Sequence, residues 1–443
     1  MKIKVLSRNP DDYIRESNRD IHKVQRNYDP SLHPFEAPRE YIRALNAVKL
    51  ERVFAKPFLA SLDGHKDGVS CMCKNGQRLN SIFSGSCDGE IRYWNLTTKR
   101  CLQYIQAHTG FVRGLTCSPD GNLIISVGDD KTIKHWTTDA LSDTISTPLN
   151  TIISKHLYTG IDHHWKEPVY ATSGESICIW NHEKADPVRT YTWGTDTINS
   201  VRFNPVETSI CVSTASDRSI RLYDIRASAP LKKVIMTMRC NAAAWNPMEA
   251  FMFTAASEDH DLHTFDMRYL KTAKMIHKDH VDAVLDIDYS PTGKEFVSGS
   301  YDRSIRIFPV DSGRSREVYH TKRMQRVFCV NWSADNRYVL SGSDETNIRL
   351  WKARASEKIG KLTPREREAA IYSDKLKEKF AHHPQIRRIA RHRHVPKTIY
   401  SAVKEKRIMR ESLRRKEKNR RRHSKPGSVP FDVERAKNIV GIV

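Results

Sequence analysis

Histidine and aspartate recur along this 443-residue chain at spacings that could do chemistry. His65, His108 and His280 each stand four residues before a valine, namely Val69, Val112 and Val284. Asp88, Asp130, Asp217, Asp259 and Asp302 each stand six residues before an aromatic side chain. Taken singly, such side chains suit acid–base work or metal ligation. Placed once per repeat, they suit a buried hydrogen-bond network, and the repetition favours that structural role. A second concentration of chemistry is cationic: Arg387, Arg388, Arg391, Arg393, Lys397, Arg407, Arg410, Arg414, Arg415, Arg420, Arg421 and Arg422. Guanidinium forks suit phosphate oxygens and also stack on bases. These residues are the candidate RNA-binding set.

Enzymatic chemistry finds little support. The sequence has no G-x-x-x-x-G-K-[ST] phosphate loop, no G-x-S-x-G elbow and no H-E-x-x-H pair. His163-His164 and His382-His383 lack further ligands at fixed spacing, so they read as packing or surface histidines. Nine cysteines are scattered, with only Cys71 and Cys73 close together. That usage fits reduced thiols in a cytosolic or nuclear protein, and neither a disulfide framework nor a zinc site. The expectation is a chain that is not an enzyme and needs no cofactor or metal.

The elements that must position the recurring residues follow from a period. Trp94, Trp136, Trp180, Tyr223, Phe265, Phe308 and Trp351 lie 42 to 44 residues apart. Each closes a β-rich run such as SGSCDGEIRYW or SGSYDRSIRIF. Turn residues between alternating apolar residues predict strand, turn, strand. In the third run the acid's place holds Gly174, and in the seventh Glu345. This pattern resembles the WD-repeat family over residues 65–351. The resemblance implies an all-β, seven-bladed WD-repeat β-propeller with four antiparallel strands per blade. It places His65, Ser84, Asp88 and Trp94 in one hydrogen-bonded chain in the first blade. His108, Ser126, Asp130 and Trp136 repeat it in the second. The third blade should be the least regular. Phe58–Leu62 should supply the outer strand of the last blade, sealing the ring.

The net charge of +22 is unevenly spread. Residues 352–443 hold 28 Lys+Arg against 10 Asp+Glu, whereas residues 65–351 are nearly neutral at 34 against 33. Such segregation points to a polyanion partner for the tail, with a solvated charge run as the plainer alternative. No window approaches the roughly 18 apolar residues of a membrane span, so no membrane partner is expected. The start, MKIKVLSRNPDDY, lacks the apolar stretch of a secretory signal.

Three parts follow: an extended N-terminal arm over 1–57 with a short helix near 39–52, the propeller over 58–351, and a basic α-helical C-terminal extension over 352–443. In the extension, Thr363-Pro364-Arg365-Glu366 is a capping box with proline at the first helical position. Ala369, Tyr372, Leu376 and Phe380 form an apolar stripe expected to pack on the propeller. A second helix is expected from Pro384 to Arg393, and a third from Lys397. The end of the third, SLRRKEKNRRRHSKPG, has few apolar residues. It should project from the body or be ordered by a partner.

Outside the repeats, four stretches carry a closer resemblance: NYDPSLHPFEAPREYIRALNAVKLERVFAKPF at 27–58, YTGIDHHW at 158–165, WNPMEAF at 245–251 and FAHHPQIRRIARHRHVPKTIYSAVKEKRIMRE at 380–411. The chain is similar to the Sof-type WD-repeat proteins of the eukaryotic small-subunit processome. That likeness implies a scaffold in small-subunit rRNA processing, in the nucleus and nucleolus. Its implied partners are pre-ribosomal RNA, a box C/D small nucleolar RNA and other processome proteins. Animal members of the family are also described as substrate receptors of a cullin-type ubiquitin ligase. They dock an adaptor through an aromatic-Asp-x-Arg motif. Tyr223-Asp224-Ile225-Arg226 and Phe265-Asp266-Met267-Arg268 match it here, with Tyr and Phe for Trp. Asp224, Arg226, Asp266 and Arg268 are therefore the alternative docking residues, although Asp and Arg after a strand are also common turn residues.

Overall fold

The computed structural model describes residues 29–138, 147–193, 196–431 and 433–442. Most of the N-terminal arm expected over 1–57 therefore lies outside the described residues. What is described divides into two compact units. One joins the residues up to Lys56 with Ser356–His392; the other joins Pro57–Ala355 with the segment from Arg393 onward.

The second unit is a seven-bladed propeller. Each repeat turns its alternating apolar pattern into an antiparallel sheet, so that both faces of every blade bury against neighbouring blades. The first blade has strands Val69–Lys74, Ser81–Ser86, Glu90–Asn95 and Arg100–Gln106 in sequential order. The next five repeat that order around the ring. The seventh takes three strands from Val327–Lys352 and its fourth from Phe58–Leu62, which pairs antiparallel with Ile348–Lys352. Apolar clusters fill the spaces between blades; one joins Leu62, Val69, Ile82 and Trp94 to Leu340, Ile348 and Leu350.

The turn between the second and third strands is shared by six blades. The residue after each acid has positive φ: Gly89, Lys131, Arg218, His260, Arg303 and Thr346. Gly89 also sits against a neighbour, since a Cβ there would lie 2.0 Å from the His108 carbonyl oxygen. The third blade lacks both the acid and the left-handed residue.

Blade four carries a strand absent from the sequence reading. Ile439–Ile442 adds a fifth strand, pairing antiparallel with Lys232–Met236 (Val234 with Ile442, Met236 with Ile439). Between the ring and this strand, in chain order, runs the long helix α4, Lys397–His423.

The first unit is helical. Helix α1 spans Glu36–Val53, longer than the expected 39–52, and Pro38 falls in its first turn, where backbone N–H groups have no helical acceptor. Helix α2 spans Pro364–Lys379 and starts with the capping box: Glu366 N–H donates to Thr363 Oγ1 at 3.3 Å, and Thr363 N–H to Glu366 Oε2 at 3.3 Å. Helix α3 spans Pro384–Ala390, ending before the expected Arg393. The apolar stripe of α2 was expected against the propeller; its partner is α1. Leu376 packs with Ala44, Val48 and Ile386, and Phe380 with Tyr41 and Leu45 at the margin. Tyr372 is exposed and accepts from Arg43 at 3.2 Å. The reason is that α1 offers a matching apolar stripe, so two weakly amphipathic helices complete each other.

Candidate nucleic-acid interface

The blade networks come first, because they decide which His and Asp side chains remain for chemistry. In blade two the chain is complete. The Trp136 indole N–H donates to Ser126 Oγ at 3.0 Å. Ser126 Oγ meets His108 Nε2 at 2.8 Å, and His108 Nδ1 meets Asp130 at 2.9 Å. With Nδ1–H donating to the carboxylate, Nε2 accepts from the serine, which fixes the tautomer. Blade one differs from the sequence assignment. Trp94 N–H donates to Ser84 at 2.8 Å and His65 Nε2 meets Ser84 at 2.6 Å, but no bond joins His65 to Asp88. Glu90 stands nearest instead, 3.7 Å from His65 Nδ1 and ion-paired with Arg92 at 2.9 Å. Asp88 caps the turn by accepting from Glu90 N–H at 3.1 Å. In blade three Trp180 donates to Thr172 at 2.8 Å. Burial holds the imidazoles of His65, His135 and His277 down to about 4, so they are neutral at physiological pH.

A partner for the acid went unread in the sequence although its signal is periodic. Two residues before the aromatic stands Arg92, Lys134, Arg221, His263, Arg306 or Arg349, in every blade but the third. In blade four Arg221 is buried and bonds Asp217 at 2.7 Å, taking the place of histidine; in blade five His263 meets Asp259 at 3.0 Å. In the seventh, Arg349 bonds Glu345. His163 and His164 are buried as well, with His163 Nε2 at 2.7 Å from His182 Nε2.

The twelve candidate RNA-binding cations separate into two groups. Five are engaged within the chain. Arg393 reaches Asp279 at 3.2 Å, and Arg410 reaches Asp261 at 3.0 Å. Arg414 reaches Glu434 at 2.6 Å, and the Arg421 guanidinium lies 4.6 Å from the Phe431 ring centre. Arg407 pairs with Glu411 one helical turn on, at 2.8 Å. The remaining seven, Arg387, Arg388 and Arg391 around α3 and Lys397, Arg415, Arg420 and Arg422 on α4, are exposed and make no ion pair among the described residues.

Helix α4 spans Lys397–His423. Ile399 is buried, while Lys406 donates to the Val281 carbonyl. The expectation was that its basic end projects from the body or is ordered by a partner; the chain itself supplies the contacts. The chain after the helix folds back on it: Lys437 pairs with Glu417 at 2.9 Å, and Glu434 serves both Arg414 and Lys278. Downstream, one acid, Glu434, and one aromatic, Phe431, meet helix arginines, while Lys437 meets the helix's own Glu417. Asn438 then bonds Asp259 at 2.8 Å beside the added strand. For the alternative docking residues, Arg268 is bidentate to Asp266, at 3.0 and 2.7 Å, and lies 4.3 Å from the Phe251 ring centre. Asp224 accepts the Arg226 N–H at 2.9 Å, and the Arg226 side chain is exposed with no ion pair among the described residues.

Seven sheets in a ring, sealed by an N-terminal strand and pinned by indole–hydroxyl bonds, define a WD-repeat β-propeller. Residues 56–95, 99–137, 185–224, 272–308 and 316–352 match the WD domain, G-beta repeat, and residues 353–439 match the Sof1-like domain. The chain is 61% identical to DDB1- and CUL4-associated factor 13 of Xenopus laevis and 62% identical to that of Homo sapiens, in both cases over the whole of each chain. It is 45% identical to Protein SOF1 of Saccharomyces cerevisiae, over all of this chain and 95% of that one. A solved structure, the WD40 β-propeller domain of Doa1, superposes with a TM-score of 0.59 at 18% identity, covering 68% of this chain and 97% of that one. The chain belongs to the Sof1-like family of WD-repeat proteins.

Proposed function

We propose that this chain is a non-enzymatic assembly factor of the small-subunit processome. In this reading it works in the nucleolus, holding pre-ribosomal RNA, and a box C/D small nucleolar RNA where one is present, against other processome proteins. The observation that carries the reading is the set of seven exposed cations that the fold does not use. Such side chains give binding that follows the phosphate backbone and not the base sequence. Crosslinking in cells, followed by sequencing of the attached RNA, tests it: pre-ribosomal RNA should be enriched. Replacing Arg387, Arg388 and Arg391 by Ala should weaken binding about equally across RNA sequences and flatten its salt dependence. RNA recovery no higher than from a propeller without the extension would overturn it. Point substitutions are the sharper tool, because truncation before Lys361 also removes the strand that pairs with Lys232–Met236.

A second reading is a substrate receptor of a cullin-type ubiquitin ligase. It is favoured by the name of the vertebrate relatives, which associates them with DDB1 and CUL4, and by the exposed Arg226 side chain, which makes no ion pair among the described residues. Arg226→Ala should then abolish adaptor co-purification while RNA association persists. Arg268→Ala should matter less, since that guanidinium is already held by Asp266 and Phe251. Unchanged adaptor recovery with both substitutions would remove this reading.

A further inference from the structure

Helix α4 does not lie flush against the propeller. Between it, the edges of blades five and six and the returning chain opens a cleft of about 790 Å³. That volume suits a small organic ligand. We propose that this cleft binds a compact polyphosphate, a ligand carrying several phosphates close together.

The charge in the cleft carries the inference. Seven lining side chains are Lys or Arg and three are Asp or Glu, so the lining has a clear cationic excess. Internal pairing does not remove it. One carboxylate, Glu434, serves two cations, Lys278 at 2.5 Å and Arg414 at 2.6 Å. Asp279 is drawn to Arg393 at 3.2 Å, outside the lining. Within the lining Arg407 is met by Glu411 at 2.8 Å, and from outside it Arg410 is met by Asp261 at 3.0 Å, so the excess rests on Lys406, Arg314 and Arg435 and on the cation pair that shares Glu434. Arg314 and Arg435 line the cleft with no ion pair among the described residues. Lys406 sits in the same wall; burial shifts its amine down against the pull of Asp282, with Arg410 adding to the shift and Asp261 and Asp302 opposing it. Clustered cations with too few carboxylates repel one another, and an anion that bridges them relieves this in a partly water-shielded cleft. One charge would leave most of the excess in place, whereas several adjacent phosphates match it. Met275, Ile276, Val403 and Val433 give an apolar wall for the body that carries them. A ligand there would bridge α4, the returning segment and blades five and six.

Two sources offer this chemistry, a free small molecule and consecutive phosphates of an RNA strand, and the experiment separates them. Inositol hexakisphosphate and a ten-nucleotide single-stranded RNA are titrated separately into the full-length protein by calorimetry, with thermal melts alongside. Saturable binding of either probe is expected, with a rise in Tm. Arg314→Ala with Arg435→Ala should weaken it at least tenfold and leave the ligand-free Tm unchanged, because neither side chain anchors the fold. Arg387→Ala with Arg388→Ala and Arg391→Ala should leave hexakisphosphate binding unchanged. Loss confined to hexakisphosphate assigns the cleft to a free polyphosphate; loss of RNA affinity, with hexakisphosphate not bound, assigns it to RNA phosphates. The proposal fails if neither probe saturates, or if binding is indifferent to Arg314 and Arg435. RNA affinity lost only with the α3 substitutions would also sink it, while leaving the assembly-factor reading intact.

Discussion

Asp88 and Asp130 hold the same place in successive repeats, yet their removal should have unequal effects. Asp130 accepts from His108 Nδ1 at 2.9 Å, from the Thr132 hydroxyl at 2.7 Å and from Thr132 N–H at 3.2 Å. His108 is buried, so Asp130→Ala strands its ring N–H; such a group costs about 1–3 kcal/mol. The Thr132 hydroxyl, 3.2 Å from His108 Nδ1, recovers part of that loss. Adding the smaller losses at Thr132 gives about 2–3 kcal/mol in all, or a Tm fall of about 5 °C for a domain of this size. Asp88→Ala removes one acceptor at the turn and nothing from His65, so about 0.5–1 kcal/mol is expected. Matched thermal and urea melts measure both, with RNA affinity as the control that neither should change. Ser126→Ala combined with Asp130→Ala should fall short of the sum of the single effects, because both act on one imidazole. Equal destabilisation by the two aspartate variants would refute the reasoning. Loss of RNA binding in a folded Asp130→Ala protein would refute the structural role of the network.

Acid should unfold the propeller early. His65, His135 and His277 are held near 4 by burial, below the ordinary 6.5, so the unfolded chain binds protons that the folded chain refuses. Their contribution is full above pH 6.5 and is lost as pH falls from there towards 4, which a pH series of urea midpoints would display. Gly89→Ala should destabilise by more than 2 kcal/mol, at the upper end of ordinary point changes, because its Cβ would strike the His108 carbonyl. Arg303→Gly, at an exposed positive-φ site, should be neutral or stabilise by up to about 1 kcal/mol in the same melts. Deleting residues 437–443 should lower Tm and raise hydrogen exchange along Lys232–Met236, whose edge loses its partner strand.

The ring was readable because seven blades solve one packing problem, so Trp94 through Trp351 repeat a spacing that needs no partner to be seen. The basic residue two places before the aromatic in six of the seven repeats was readable by the same logic, beside the more familiar His and Asp. The tail is another matter. Arg410 finds Asp261 across 149 residues and Arg393 finds Asp279 across 114, single contacts that leave no period behind. A four-residue strand at Ile439–Ile442 is likewise too short to carry an alternation of its own. Local composition showed an arginine-rich helix with little to bury, and only the distant acids turned part of that charge into anchorage.

The strand borrowed by the last blade sets a clock on synthesis. Phe58–Leu62 leaves the ribosome early, and its partner Ile348–Lys352 follows about 290 residues later. At ordinary elongation rates that is a wait of roughly 15–60 s. During it, the earlier blades can form in order, but the strand that completes the ring has no sheet to join. An apolar strand held open that long is open to wrong pairings with other nascent chains. Any chaperone that shepherds this protein would have to hold the Phe58–Leu62 segment until translation has passed Lys352, and premature stops within the last blade would leave it permanently unmatched.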